Sequence, residues 1–170
     1  MDGILNVYKP QGITSFAVVA RVKKFCGTKR VGHAGTLDPM ATGVLPVMLG
    51  GATRFLNYIA DSDKGYRATF SLGITTDTLD ITGNILSQSS VDASPQDVEN
   101  VLEKFRGNIM QTPPMFSAKS VDGVRLYDLA RQGVEVERKP CPVEIKRLEL
   151  IEASADDNRY VIDVLCSKGT

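Results

Sequence analysis

From Tyr66 to Leu72 the chain alternates strictly: Tyr66, Ala68, Phe70 and Leu72 are apolar or aromatic, while Arg67, Thr69 and Ser71 are polar. A period of two sends each set to its own face, so the stretch predicts a strand with a core side and a side turned to solvent or ligand. Upstream the period changes. Phe16, Val19, Val22 and Cys26 recur at helical spacing behind two capping candidates, Thr14 and Ser15, and Gly27 supplies the stop. Gly3–Lys9 reads as a short strand halted by Pro10 and Gly12, and residues 44–49 as a short buried strand in spite of Pro46. Gly50-Gly51 leads into a second helix lined by Ala52, Phe55, Leu56 and Ile59.

In the second half, Ser94-Pro95-Gln96-Asp97 combines a cap, a proline at the first helical position and an acid three residues after the cap. The helix it starts carries Val98, Val101, Leu102 and Phe105 on one side and ends at Gly107. Residues 74–84, polar and rich in Thr and Asp, read as a long ordered loop. Pro113-Pro114 imposes an extended entry into 115–121, Asp122-Gly123 is a hairpin turn, and 126–132 is a short helix closed by Gly133. Strands are expected at 134–137, 143–152 and Arg159–Cys166, the last two joined through Asp156-Asp157-Asn158. Strands interleaved with helices and a hairpin make a mixed-sheet α/β or α+β domain. At 170 residues and 42% apolar content, with no internal repeat or low-complexity linker, residues 1–170 are expected to form one domain with a proper core.

Neither period describes the stretch Gly32-His33-Ala34-Gly35-Thr36-Leu37-Asp38-Pro39-Met40-Ala41-Thr42-Gly43. It holds the chain's only histidine and the first acidic side chain after Asp2. Gly and Pro at this density fit neither a helix nor a central strand. Pro39 fixes its own φ and pushes Asp38 to an extended conformation, so the loop presents a carboxylate on stiffened chain. A nucleophile or base needs that stiffness. The same residues also compose an ordinary turn, with Asp38 capping its own backbone and His33 a satisfied surface imidazole, and composition by itself leaves both readings open.

Charge shifts the balance. The net charge is zero, yet residues 3–37 contain no Asp or Glu and carry Lys9, Arg21, Lys23, Lys24, Lys29 and Arg30. Six cations without an acid between them suggest a basic face leading up to the loop, suited to phosphates. Three widely spaced cysteines, Cys26, Cys141 and Cys166, make neither a disulfide framework nor a zinc site. With no apolar run of spanning length and no signal-peptide pattern, the expected compartment is the cytoplasm, without a membrane partner.

Several chemistries fall away. There is no Gly-x-Ser-x-Gly for a Ser-His-Asp site, no Walker loop and no Gly-x-Gly-x-x-Gly after a strand. Cys26 lies in the last turn of its helix, where the dipole disfavours a thiolate. Gly50-Gly51-Ala52-Thr53 before a helix can hold a phosphate through backbone amides, but a closely packed turn accounts for it better. A stiffly held carboxylate, a nearby imidazole, a basic approach and aromatic strand residues survive, a kit for acting on a base in RNA.

The loop from Gly32 to Pro39, with Ala41-Thr42-Gly43, resembles the catalytic motif of the TruB family of tRNA pseudouridine synthases. Other segments resemble that family in the same order: Gly3-Ile4-Leu5 with Lys9-Pro10-Gln11-Gly12, Asp63-Lys64-Gly65-Tyr66-Arg67, Thr76-Asp77-Thr78-Leu79-Asp80 with Gly83, Pro114-Met115-Phe116-Ser117-Ala118, and Cys166-Ser167-Lys168-Gly169-Thr170. The resemblance spans nearly the whole chain. It implies the α+β pseudouridine synthase fold, a mixed, largely antiparallel sheet with flanking helices, and an isomerase that converts uridine to pseudouridine in the T-arm loop of tRNA, at the uridine called position 55, with no metal or organic cofactor. Asp38 matches the aspartate whose carboxylate attacks the nucleoside, so that the bond from N1 to the sugar breaks and the base turns and rejoins through C5. Tyr66 matches the tyrosine that packs against the flipped base, where an aromatic face restores lost stacking. His33 matches a histidine that contacts the RNA beside it. Lys9, grouped with the substrate-binding residues, falls with Pro10 in a motif near the loop and is expected to support it more than to do chemistry. Lys64 and Arg67, with Lys23, Lys24, Lys29 and Arg30, are candidates for phosphate contact.

The resemblance also implies a departure. In the family, Cys-Ser-Lys-Gly-Thr is followed by a Tyr-Ile/Val-Arg segment whose arginine pairs with the catalytic aspartate, then by more of the catalytic domain and usually a small C-terminal RNA-binding domain. An arginine there holds the carboxylate ionised and oriented. The expectation is therefore a catalytic domain incomplete at its C-terminus, inactive or badly impaired alone, with the missing C-terminal part as a partner beside tRNA. Two rivals stand next to the enzyme reading: an RNA-binding or tRNA-folding protein in which modification is secondary, and a synthase working through a guide complex. Met40-Ala41-Thr42-Gly43 is more similar to the stand-alone bacterial enzymes than to the guided ones.

Overall fold

The structure is a computed structural model that describes all residues except Asp61, Ala118, Asp122, Ala155 and Asp156. The chain divides into two compact units, Met1–Ser62 and Asp63–Thr170.

In the first unit, β1 (Gly3–Lys9) is followed by helix α1 (Ser15–Cys26), β2 (Val31–His33) and β3 (Gly43–Leu49), with sheet order β1-β3-β2. A 3-10 turn at Gly50–Phe55 runs into the short helix α2 (Leu56–Ala60). Thr14 caps α1, its side chain accepting from the Ala17 N–H at 3.0 Å, and Gly27 ends the helix with φ +61°, which costs glycine little. The helix buries Val18 and Val19, and Val18 packs with Leu45 and Val47 of β3 and with Val7, Ile13, Val22 and Val31. Phe16, expected on the buried face, is 71% exposed, because the sheet meets the helix along Val18 and Val22. Pro46 is tolerated in the central strand for a local reason. A strand residue points its N–H and C=O the same way, and the Pro46 carbonyl faces Ala34, just past the point where β2 ends at His33, so the absent donor interrupts no ladder there.

The second unit is built on the sheet order β4-β11-β10-β7, from β4 (Lys64–Ser71), β7 (Gly107–Gln111), β10 (Cys141–Ser154) and β11 (Arg159–Cys166). Phe70, Tyr160, Ile162, Val164, Ile145 and Leu148 form its apolar face, covered by Val98 and Leu102 of α3 (Pro95–Leu102). Ser94 and Asp97 close the reciprocal cap that the sequence indicates at the start of α3. The expected loop at 74–84 contains a strand, β5 (Ile74–Thr76), paired with β6 (Ile85–Gln88). Of residues 115–121 only Ser120–Val121 is strand (β8), paired with β9 (Val124–Arg125), and helix α4 (Leu126–Arg131) follows. Asp122 of the expected hairpin turn, Ala118, and Asp156 of the expected β10–β11 connection lie outside the described residues. Residues 134–137 form no strand, and β2 and β7 arise where none is expected. The α+β class stands, with every described strand pairing antiparallel.

Candidate functional site

The loop 34–42 joins β2 to β3, and its path is set by the connection from β1 to α1. Lys9, the last residue of β1, is 0% exposed, and its Nζ donates to the carbonyls of Pro10 (3.0 Å), Ile13 (2.9 Å) and Pro39 (3.4 Å). An ammonium has three N–H donors, and here three backbone oxygens receive them. The Gly12 N–H also donates to the Pro39 carbonyl, at 2.8 Å. One residue before Asp38, the Ser15 hydroxyl donates to the Leu37 carbonyl at 3.1 Å and accepts from the Leu37 N–H at 2.9 Å. The Asp38 carbonyl accepts from the Ala41 N–H at 3.0 Å. Asp38 is exposed between these fixed points, so the bonds act on its backbone and leave its carboxylate facing solvent.

His33 closes β2 and is half-buried; its Nδ1 donates to the Gly35 carbonyl. That bond sets the ring's orientation and leaves Nε2 as the acceptor of the neutral imidazole. Lys9 shares this loop system with His33 and Asp38 but spends its donors inside the fold. Lys23, Lys24 and Lys29 line a shallow depression of about 440 Å³ at the end of α1, with Ala20, Gly27 and Thr28. Two of these lysines, Lys23 and Lys24, lie in the last turn of α1, where they also complement the helix dipole.

Tyr66, Lys64 and Arg67 belong to the second unit, on β4. Tyr66 pairs with Val164 in the row that continues through Ala68 and Phe70, and it is 44% exposed at the end of that row. Lys64 opens the strand opposite Cys166. Arg67 points to the other face, where Nε and Nη2 each reach Asp163 at 2.7 Å across the β4–β11 register. This bidentate pair raises the Arg67 pKa and holds the Asp163 carboxyl below the ordinary carboxylate value, chiefly through the side-chain hydrogen bond. Asp163 and Ser15 are the two residues that sequence reasoning passed over. Asp163 is the one polar side chain in the apolar run from Tyr160 to Cys166, and Ser15 is the second of two hydroxyls where a helix needs one cap. Among the described residues, no three His, Cys, Asp or Glu side chains gather as metal ligands would.

The solved structures that resemble the chain place the fold. A chain in the "Crystal Structure of a Cbf5-Nop10-Gar1 Complex" matches with a TM-score of 0.74 and 28% identity, covering 99% of this chain and 40% of that one. A family model described as "TruB family pseudouridylate synthase (N terminal domain)" matches residues 23–170. The chain belongs to this family. Proteins named tRNA pseudouridine synthase B are similar over its full length: that of Heliobacterium modesticaldum is 50% identical over 172 residues, and that of Clostridium tetani 47% over 173. The chain covers 56% and 58% of those two proteins, little more than half the length of the relatives it matches.

Proposed function

We propose that the protein is a tRNA pseudouridine synthase, converting uridine to pseudouridine in the T-arm loop, at the uridine called position 55, with the Asp38 carboxylate as nucleophile. The observation that carries this reading is the placement of Asp38: its carboxylate is exposed, while the backbone on both sides is fastened by Ser15, Gly12 and Lys9. A free, well-aimed carboxylate is what an attack on a nucleoside requires, because the barrier falls only when the attacking atom is held near its target. In the isomerisation the bond between N1 and the sugar breaks, the base turns, and the sugar is rejoined at C5. N1 gains a proton and C5 loses one, so nothing is oxidised and nothing is hydrolysed.

Tyr66 offers an exposed aromatic face suited to stacking on an extruded base. His33, in the first unit, offers its Nε2 edge to the RNA. Lys64, with Lys23, Lys24, Lys29 and Arg30, supplies positive charge for the phosphates. Arg67 joins them with the N–H groups not directed at Asp163. Lys9 acts from beneath the loop. We place the activity in the full-length protein, acting in the cytoplasm and with the C-terminal part that the family carries. No helix among the described residues is long and apolar enough to cross a membrane.

The test is tritium release from tRNA labelled at C5 of uridine. Wild-type protein should release label and Asp38→Asn should not, while both bind the tRNA. Turnover that persists in the Asn variant ends the nucleophile assignment. Release confined to assays that include a guide RNA would move the substrate away from bare tRNA.

A further inference from the structure

We infer that Ser15 is a positioning residue for Asp38, acting through Leu37; the inference rests on the nucleophile reading above. Ser15 is the first residue of α1 and only 3% exposed, and the helix does not use it as a cap, since Thr14 fills that role. Its hydroxyl has one proton to give and lone pairs to accept with, and it uses both on the same residue, the carbonyl and the N–H of Leu37. This is the two-way exchange that paired strand residues make, carried out here by a side chain.

The consequence for Asp38 follows from its two peptide planes. The preceding plane contains the Leu37 carbonyl, held by Ser15; the following plane contains the Asp38 carbonyl, held by the Ala41 N–H. Among the described residues, no other backbone bond of Asp38 replaces the first of these. Removing the Ser15 oxygen therefore frees the plane on the N-terminal side of Asp38, and the Cα–Cβ direction turns with it. The carboxylate loses its aim while the RNA keeps its other contacts, so the chemical step should suffer and binding should not.

The experiment compares full-length wild type, Ser15→Ala, Ser15→Thr and Asp38→Asn by tritium release at varied tRNA concentration, with hydrogen exchange followed at the Leu37 amide. Ser15→Ala should lower kcat by about 10- to 100-fold and leave KM within about twofold, since misplacement of reacting groups costs rate. Its Leu37 amide should exchange about tenfold faster with the rest of the first unit protected as before, as expected for a local opening. Ser15→Thr keeps the hydroxyl and should recover most of kcat. If Ser15→Ala does not fold, Ser15→Cys takes its place and is read the same way, because it keeps the volume and weakens both bonds. Unchanged kcat beside a deprotected Leu37 amide overturns the role of Ser15, as does a rise in KM alone. An active Asp38→Asn overturns the nucleophile reading itself; an inactive Asp38→Asn beside a fully active Ser15→Ala overturns only the positioning role.

Discussion

Lys9→Met separates a brace from an RNA contact. Methionine keeps the length of the lysine stem and removes the amine, so the change isolates three hydrogen bonds at a site that is 0% exposed. They are not equal. The contact to the Pro39 carbonyl is long, 3.4 Å, and that oxygen keeps the Gly12 N–H at 2.8 Å, whereas the Pro10 and Ile13 carbonyls, at 3.0 and 2.9 Å, lose the Lys9 donor. An acceptor that loses its donor costs about 1–3 kcal/mol where water cannot reach it; Ile13 is half-buried and Pro10 exposed, so the two together cost about 1–4 kcal/mol. Relief from burying an ammonium offsets part of this, leaving a net loss of about 1–3 kcal/mol. Against a typical stability of about 5–15 kcal/mol the variant should still fold. Urea unfolding should show the midpoint falling by about 0.5–2 M with the slope unchanged, because the surface exposed on unfolding is the same. A loss under about 1 kcal/mol would refute the brace. If Lys9 instead contacted RNA, the midpoint would stay and tRNA affinity would fall.

Three further outcomes follow from the second unit and can be read by thermal melting. Gly73 has φ +83°, and a Cβ there would lie 2.6 Å from the Ser89 carbonyl oxygen and 2.7 Å from Val91 Cγ2; Gly73→Ala should therefore cost about 2 kcal/mol or more, and a neutral result would mean that the β5–β6 hairpin shifts freely. Ser94→Ala removes the cap of α3, whose side chain accepts from the Asp97 N–H, and should cost about 1 kcal/mol; no change would mean that the helix start does not depend on its cap. Asp163, held below the ordinary carboxylate pKa by Arg67, contributes stability that is complete above about pH 4 and is lost as pH falls through its folded value. The gap in Tm between wild type and Asp163→Asn should accordingly close as pH drops below about 4, and a gap that is constant with pH would count against the pair.

Local pattern made β1, α1, β4 and α3 legible: β1 by the Pro10 and Gly12 that halt it, α1 by its helical spacing and the Gly27 stop, β4 by strict alternation, α3 by its cap and first-turn proline; the Gly-Pro density marked the loop that presents Asp38. Patterns of this kind report what a segment is, and say little about what it meets. β2 is three residues long and β7 opens directly after a helix stop, so neither has room to show a period. Residues 134–137 alternate well enough, but alternation makes a strand only where a neighbour accepts the ladder, and none does. Phe16 has helical spacing and still faces solvent, since the side of α1 that is buried is chosen by β3.

The same limit explains what was missed at the site. Ser15 meets Leu37 across 22 residues, Lys9 meets Pro39 across 30, and Arg67 meets Asp163 across 96. No window of sequence contains both partners. Charge pattern alone counts Lys9 in the basic face; the family resemblance makes it a support of the loop, and the structure shows the means, three carbonyls around its amine, two of them from the turn that follows it. Glycine and proline restrict the conformations open to the Asp38 loop, but restriction alone does not choose a direction for the carboxylate. The direction comes from residues 9–15, which grip the loop on either side of Asp38. Two segments that each look like an ordinary turn, Lys9-Pro10-Gln11-Gly12 and the stretch around Asp38, thus constrain one another, and the aim of the carboxylate is a property of the pair.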